Sequence, residues 1–515
     1  MTIFESPYGA LAPHPVSITE RLFQGLLAAP DRVALIEGAS GRQHTGQEIM
    51  SAICRLAGGL QAAGLGSGAT IALMAPNLPE FVIVFHAAAY AGGSVTTINP
   101  TYTAEEVAFQ LRDSGACALV TIEAFRKTAK QAMEGTECDR IILIDSQGQE
   151  GLSNLMGEPL AAQVAVDLDE HVLVIPYSSG TTGLPKGVML THKNLVSNVD
   201  QIVPMAGIRP GEVHIAFLPF FHIFGMTAQM NLFLGEGATV VTMPRFDLEL
   251  CLRLIQDHKA RQMYIVPPVA LALAKHPLVD QYDLSSLDTL LSGAAPLDGN
   301  LARAVEDRLG CSMIQGYGMT EMSPASHFNH VDHPRIGAAG QTIPGTETRI
   351  VDPASGADQG TDQEGEVWVR GPQVMKGYLN RPDATAETIT PDGWLKTGDI
   401  GAIDADGYLT IRDRLKELIK VKGFQVAPAE LEATLIAHAE IADASVIGAP
   451  DEEAGERPIA FVVRAQGSDL SAEAVMDHVG GALASYKHLK DVVFVDAIPK
   501  SASGKILRRL LRESR

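Results

Sequence analysis

The chain's 515 residues exceed what one ordinary hydrophobic core accommodates, so a large domain with at least one smaller companion is expected. Hydrophobic residues make up 46% and charged residues 20%, the balance of a soluble globular protein. Lys and Arg total 40 against 61 Asp and Glu, and the net charge of −21 argues against a nucleic-acid or anionic-membrane surface, though not against a small polyanion in a local pocket.

At the start, Met1-Thr2-Ile3-Phe4-Glu5 lacks the basic segment and apolar run of a signal peptide. No apolar stretch reaches the roughly 18–20 residues of a membrane span. Strand-length apolar runs alternate with amphipathic segments, the pattern of an α/β protein. Residues 69–74 and 95–98 read as buried strands with a helix over 80–91 between them. A further strand over 172–176 leads into Tyr177-Ser178-Ser179-Gly180-Thr181-Thr182-Gly183-Leu184-Pro185-Lys186-Gly187, and a helix is expected near 194–203. Small residues there let the backbone approach a polyphosphate, hydroxyls and N–H groups donate to it, and Lys186 adds a cation. The spacing is not that of a Walker A loop. A flexible linker would not follow a buried strand and end in a rigid Pro-Lys-Gly.

Strands are next expected over 213–218, 239–243, 263–266 and 289–291, with helices over 248–258 and 297–309. His222, beside Phe221, sits among aromatics where a lone His is usually a core residue. Ser292-Gly293-Ala294-Ala295-Pro296-Leu297 ends one strand, and Gln315-Gly316-Tyr317-Gly318-Met319-Thr320-Glu321 ends the next. Ligands bind outside the carboxyl ends of parallel strands, so both turns should face one crevice. There Tyr317 could stack on a base, and Glu321 could hold Mg²⁺ through one carboxylate oxygen. His327, His330 and His333 are spaced three apart in an expected loop, without a cysteine or acidic partner to complete a metal site.

From about Glu347 shorter strands (366–370, 408–412) and denser Gly, Pro and Asp suggest a β-rich subdomain. Asp399, in Thr397-Gly398-Asp399, and Arg414 could bond the two hydroxyls of a ribose. Past Lys416 a separate lid is expected, with helices over 429–438 and 472–483 and strands over 444–447 and 459–464. The chain ends Glu513-Ser514-Arg515, without a Ser-Lys-Leu address. Its cysteines, Cys54, Cys117, Cys138, Cys251 and Cys311, are scattered and odd in number, which fits a reduced, cytoplasmic compartment.

These blocks, in this order from about Ala34 to Lys505, resemble the adenylate-forming superfamily of acyl- and aryl-CoA ligases, luciferases and non-ribosomal peptide adenylation domains. The stretch from Asp413 to Glu432 (DRLKELIKVKGFQVAPAELE) resembles the 4-coumarate–CoA ligase branch. The resemblance implies a large N-terminal domain of stacked α/β sheets, 1–415, with a β-rich subdomain over about 345–412. A small mobile α+β lid, 416–515, would follow.

It implies ATP, Mg²⁺ and coenzyme A as cofactors and a small carboxylic acid as substrate. No nucleic acid or integral membrane is implied, and the oligomeric state stays open. The loop from Ser178 to Lys186 would grip phosphates. Gly293, Ala294, Ala295, Gln315, Gly316, Tyr317 and Gly318 would enclose adenine, and Thr320 would contact the α-phosphate. Asp399 and Arg414 would bind ribose, Glu321 the metal, and Lys416 would be the hinge. Lys505 would be the catalytic ammonium between two anions. Lys420 and Gln425 would stand near the reacting centre, and Lys422 and Gly423, before Phe424, would meet CoA after rotation. His222, Phe221, Leu291, Ala294, Met322 and Pro324 would line the acyl pocket.

The plant branch usually carries Lys where this chain has Leu291, and Gly where it has Ala294. An apolar floor cannot favour a hydroxylated acid strongly, so a medium-chain fatty acid, cinnamate or a similar aryl acid is expected. A stand-alone adenylating enzyme serving a carrier protein should, if it took an amino acid, offer an Asp between 221 and 228, and none is there. A luciferase-like oxygenase or a non-catalytic paralogue would carry blocks of the same kind. The paralogue is disfavoured by the presence of Lys186, Glu321, Asp399, Arg414 and Lys505.

Overall fold

The computed structural model describes residues 2–178, 185–415, 417–421, 424–451, 454–501 and 504–514, with Phe424 and Gln425 described by their backbone alone. The periodicity that predicts an α/β protein resolves into two large sheets. In the larger, Val33–Glu37, Thr239–Thr242, Val213–Ala216, Gln262–Ile265, Thr289–Ser292 and Ser312–Gly318 lie side by side and parallel. Their apolar runs are buried, as parallel strands covered on both faces must be. Pairs such as Val240↔Leu35, Met263↔Leu290 and Leu290↔Met313 fix the register.

The stretch expected as a β-rich subdomain continues this sheet. Ala325–Phe328 pairs antiparallel with Ser312–Gly318, and Gly340–Thr342, Tyr408–Arg414, Leu395–Ile403, Gly365–Arg370 and Glu347–Val351 follow in order. Ile350, Val367, Val369, Leu395 and Leu409 share one core with the parallel half. His327, expected in a loop, lies on the strand Ala325–Phe328. Its Nδ1 meets Ser326 Oγ at 3.0 Å, and its Nε2 meets Thr348 Oγ1 at 3.2 Å and Thr342 Oγ1 at 3.3 Å.

The second sheet runs Gly377–Tyr378, Lys186–Thr191, Val172–Val174, Ser94–Thr97, Thr70–Met74, Ala118–Thr121 and Arg140–Leu143, with Tyr177–Ser178 paired back on Lys186–Thr191. The helix Pro79–Tyr90 packs on strands of both sheets and is buried on every side, which is why its sequence is apolar all round. Local signals set helix ends near the crevice. Thr191 and Asn194 form a reciprocal cap that opens His192–Ala206, and Asp298 caps Gly299–Leu309.

Beyond Arg414 a five-stranded sheet forms around its own core. It contains Phe424–Val426, Ile419–Val421, Gly455–Arg464, Ile441–Asp451 and Asp491–Phe494. Ile419, Val421, Leu431, Leu435, Val446, Val462, Val475 and Val479 fill that core, with the helices Pro428–Ile436 and Ala472–Ala482 against it. The carbonyl of Arg414 accepts the amides of Glu417 (2.9 Å) and Leu418 (3.1 Å), so the two bodies are stitched together immediately around their junction. Among the described residues no helix is long and apolar enough to cross a membrane.

Candidate active site

The turns after Thr289–Ser292 and Ser312–Gly318 leave the same edge of the parallel sheet. Gln315 ties them together: its Oε1 accepts from Leu297 N (3.0 Å) and its Nε2 donates to Leu297 O (3.2 Å). That amide therefore holds the Gly293–Leu297 turn against the strand Ser312–Gly318. A Cβ on Gly293 would stand 2.8 Å from Phe224 Cζ, so only glycine lets that ring close on the turn. Ala294 sits at φ +69°, a conformation costing an L-residue about 1 kcal/mol that glycine would not pay.

Tyr317 lies on the strand leading to the second turn, and its hydroxyl donates to Asp399 Oδ2 at 2.6 Å. Asp399 and Arg414 face each other across the antiparallel pair Leu395–Ile403 and Tyr408–Arg414, with Nε 3.2 Å from Oδ1. Burial raises the Asp399 carboxyl, against the opposing pull of Arg414, the Tyr317 hydroxyl and Lys505. Glu321, 4% exposed in the short turn Thr320–Met322, accepts the Tyr378 hydroxyl at 2.8 Å. Thr320 opens that turn and is partly exposed.

The C-terminal body brings Lys505 to this place. Gly504 lies against Val266, at the end of the strand Gln262–Ile265, where an added Cβ would be 3.2 Å from Val266 Cγ2. Burial first, and then the Arg414 cation, lower the Lys505 ammonium to about 8, while Glu417, Asp399 and Glu321 pull it back up. His222 is lowered to about 4 by burial and, secondarily, by Lys505. Its Nδ1 accepts from Phe224 N at 3.3 Å. Five of the side chains singled out in the sequence thus share one electrostatic neighbourhood: His222, Glu321, Asp399, Arg414 and Lys505.

Leu291 is 2% exposed and lies in register with Tyr264, whose ring stacks on Phe224 at 6.5 Å. The Tyr264 hydroxyl is buried and has no hydrogen-bond partner among the described residues. Met322 is fully buried, Pro324 O accepts from Met319 N at 2.9 Å, and Phe221 O accepts from Thr97 Oγ1 at 2.7 Å. Ser178 pairs with Lys186, whose Nζ lies 4.5 Å from the centre of the Tyr378 ring.

One expected residue that the structure describes stands apart from this group. Lys420 is exposed on the strand Ile419–Val421, and its amide donates to Glu456 (2.8 Å). Among the described residues no hydrogen bond or ion pair joins its ammonium to the Lys505 group. Ser179, Gly180, Thr181, Thr182, Gly183, Lys416, Lys422 and Gly423 lie outside the described residues, as does the side chain of Gln425. Phe224, Tyr264 and Tyr378 belong to the site but carry no motif that marks them, whereas Glu417 lies within the Asp413–Glu432 stretch without having been singled out. The Gly377-Tyr378 pair, set in a run of short strands, is the one sign of a close turn that the sequence offers there.

Among the described residues no three His, Cys, Asp or Glu side chains converge as a metal cage. A Mg²⁺ bound chiefly by substrate phosphates needs one or two carboxylates, and Glu321 fits that role.

The AMP-binding enzyme family model matches residues 24–379, and that of the AMP-binding enzyme C-terminal domain matches residues 430–505. A 4-coumarate–CoA ligase 1 of Solanum tuberosum is 44% identical over 514 residues, 97% of this chain and 94% of the potato protein. ATP-bound MatB from Rhodopseudomonas palustris superposes with a TM-score of 0.89 at 30% identity, over 97% of this chain and 99% of that one. The anthranilate CoA ligase AuaEII in complex with anthranoyl-AMP gives 0.90 at 27% identity, over 98% of each chain.

Proposed function

The chain belongs to the AMP-binding enzyme family, among the 4-coumarate–CoA-ligase-like acid–CoA ligases that form AMP, and from that premise we propose that it activates an aryl or comparably hydrophobic carboxylic acid. The observation that carries the reading is the convergence of Lys505 with Asp399, Arg414, Glu321 and His222. In the first half-reaction a carboxylate oxygen attacks the α-phosphorus of ATP, and pyrophosphate leaves. Two anions must meet, and the Lys505 ammonium between them offsets their repulsion and the charge that builds on the phosphorus. Lys186 and the loop before it hold the β- and γ-phosphates. Thr320 contacts the α-phosphate, and Asp399 and Arg414 fix the ribose. Mg²⁺ held at Glu321 would supply further neutralisation of the phosphates.

His222 is lowered to about 4 and is therefore neutral near pH 7, so it can sit beside the incoming acid without adding a charge of its own. In the second half-reaction the CoA thiolate attacks the acyl carbonyl and AMP leaves. We assign residues 416–515 to a lid that turns at Lys416 between the two steps, withdrawing Lys505 and presenting Lys420, Lys422, Gly423 and Gln425. The mixed anhydride is already activated, so this step needs positioning more than acid–base help.

The apolar Leu291 and the ring of Phe224 over Gly293 favour a flat, lipophilic acyl group of the cinnamate type, and the 44% identity to a 4-coumarate–CoA ligase supports an aryl acid. Incubating the protein with ATP, Mg²⁺, CoA and a panel of aryl and fatty acids, followed by mass spectrometry of nucleotides and thioesters, tests this. AMP and an acyl-CoA in equal amounts are expected. ADP in place of AMP, or AMP without thioester, overturns it, the latter pointing to a different acceptor.

A further inference from the structure

Tyr378 stands between two groups that the proposed chemistry uses separately. It closes the strand Gly377–Tyr378, whose partner is Lys186–Thr191 with Val188 opposite Tyr378. Lys186 and Val188 are two apart and project to the same face, which brings the lysine beside the tyrosine ring. The ammonium lies 4.5 Å from the ring centre. At its far end the same side chain donates its hydroxyl to Glu321 Oε1 at 2.8 Å. The backbone around it is tied down on both sides. Lys376 N and Leu379 N donate to Met189 O (3.0 Å) and Gly187 O (2.8 Å), Met375 N donates to Glu321 O (2.9 Å), and Tyr378 N donates to Thr385 Oγ1 (2.9 Å).

We infer that Tyr378 is a positioning residue that presets Lys186 for the nucleotide phosphates through its ring and Glu321 for the divalent cation through its hydroxyl. The inference rests on the proposed ligase reading and extends it. The ring face attracts an ammonium without neutralising it. A carboxylate in its place would compete with the phosphates for the same cation, and among the described residues none lies within 4.0 Å of the Lys186 ammonium. At the other end, a buried carboxylate with one oxygen held by a neutral donor has one oxygen left for a metal, which favours single-oxygen ligation.

The two functions separate by substitution in the full-length protein. Tyr378→Phe keeps the ring and removes the donor. The free Mg²⁺ concentration giving half-maximal adenylation should rise about tenfold, while the ATP dissociation constant at saturating Mg²⁺, read by calorimetry, stays within about twofold. Tyr378→Leu removes both contacts and should also weaken ATP binding about five- to tenfold. In a Glu321→Gln background Tyr378→Phe should change the Mg²⁺ dependence no further.

A purely structural tyrosine would lower the melting temperature and shift both readouts together in the phenylalanine variant, and that result overturns the inference. So does an unchanged Mg²⁺ dependence in Tyr378→Phe. If Tyr378→Leu fails to fold, the phenylalanine variant and the Glu321→Gln cycle still decide. A wild type that forms no AMP with any acid is a failure of the ligase reading, whereas an active wild type with unaltered variants is a failure of this inference.

Discussion

Lys505 carries the sharpest residue-level expectation, because in the proposed scheme its ammonium is needed only while carboxylate and phosphate are brought together. Lys505→Ala should slow adenylate formation by about 10²–10³-fold and leave thioester formation from supplied acyl-adenylate within a few-fold. Equal loss in both half-reactions would sink the two-arrangement scheme. Its pKa, lowered to about 8, also has a kinetic sign. The active form is the protonated one, so kcat/KM for adenylation should decline as pH rises past about 8, and a flat profile to pH 9.5 would exclude the ammonium from the limiting step. On the proposed reading, acid choice rests on Leu291 and Tyr264. With Leu291 as the floor, cinnamate should exceed 4-coumarate by about 5- to 150-fold in kcat/KM, the cost of one unpaired hydroxyl. Leu291→Lys should narrow that gap. Should the wild type prefer 4-coumarate instead, and lose that preference in Tyr264→Phe, the buried tyrosine hydroxyl is the partner and the apolar-floor account is wrong.

Elements decide how these residues meet, and they differ in how readable they are. The strands Thr70–Met74, Val213–Ala216 and Thr289–Ser292 and the helices Leu248–His258 and Ala472–Ala482 could be read to within two residues, because buried parallel strands and amphipathic helices impose strong periods. The joining of 347–414 onto the parallel sheet was not readable. Antiparallel pairing through Ala325–Phe328 and Gly340–Thr342 depends on partners far apart in the chain, and short strands rich in Gly and Asp look alike whether they stand alone or extend a sheet. In the site, Glu321, Asp399, Arg414 and Lys505 stand in motif positions, whereas Tyr264 and Tyr378 matter through burial and orientation, which no linear pattern carries. The junction after Arg414 yields a prediction of its own. Lys416→Pro fixes one backbone angle where the proposed lid would turn, so on that scheme adenylate should accumulate while thioester formation stalls. Turnover within a few-fold of wild type would remove Lys416 from that role.

Across the whole molecule, His86, His192, His214 and His327 are buried, and burial lowers each to about 3. Unfolding releases them to an ordinary value near 6.5, so the unfolded chain binds more protons through the window between those values. Stability is therefore full above about pH 6.5 and falls as pH drops through the window, by up to about 1.4 kcal/mol per histidine and pH unit. The melting temperature should decline steadily from pH 7 to pH 5, with proton uptake on unfolding in calorimetry. A constant melting temperature over that range would mean that these rings are not neutral and buried together. The carbonyl of Arg414 has a different kind of consequence. It holds the amides of Glu417 and Leu418 while the guanidinium of the same residue faces Asp399. If the proposed lid turns at Lys416 and gives up those two hydrogen bonds, their deuterium uptake becomes a clock: slow while Lys505 is docked, fast once the lid has swung. Followed with ATP, then with acyl-adenylate and CoA, the exchange of two adjacent backbone positions would report how the enzyme divides its time between its two tasks.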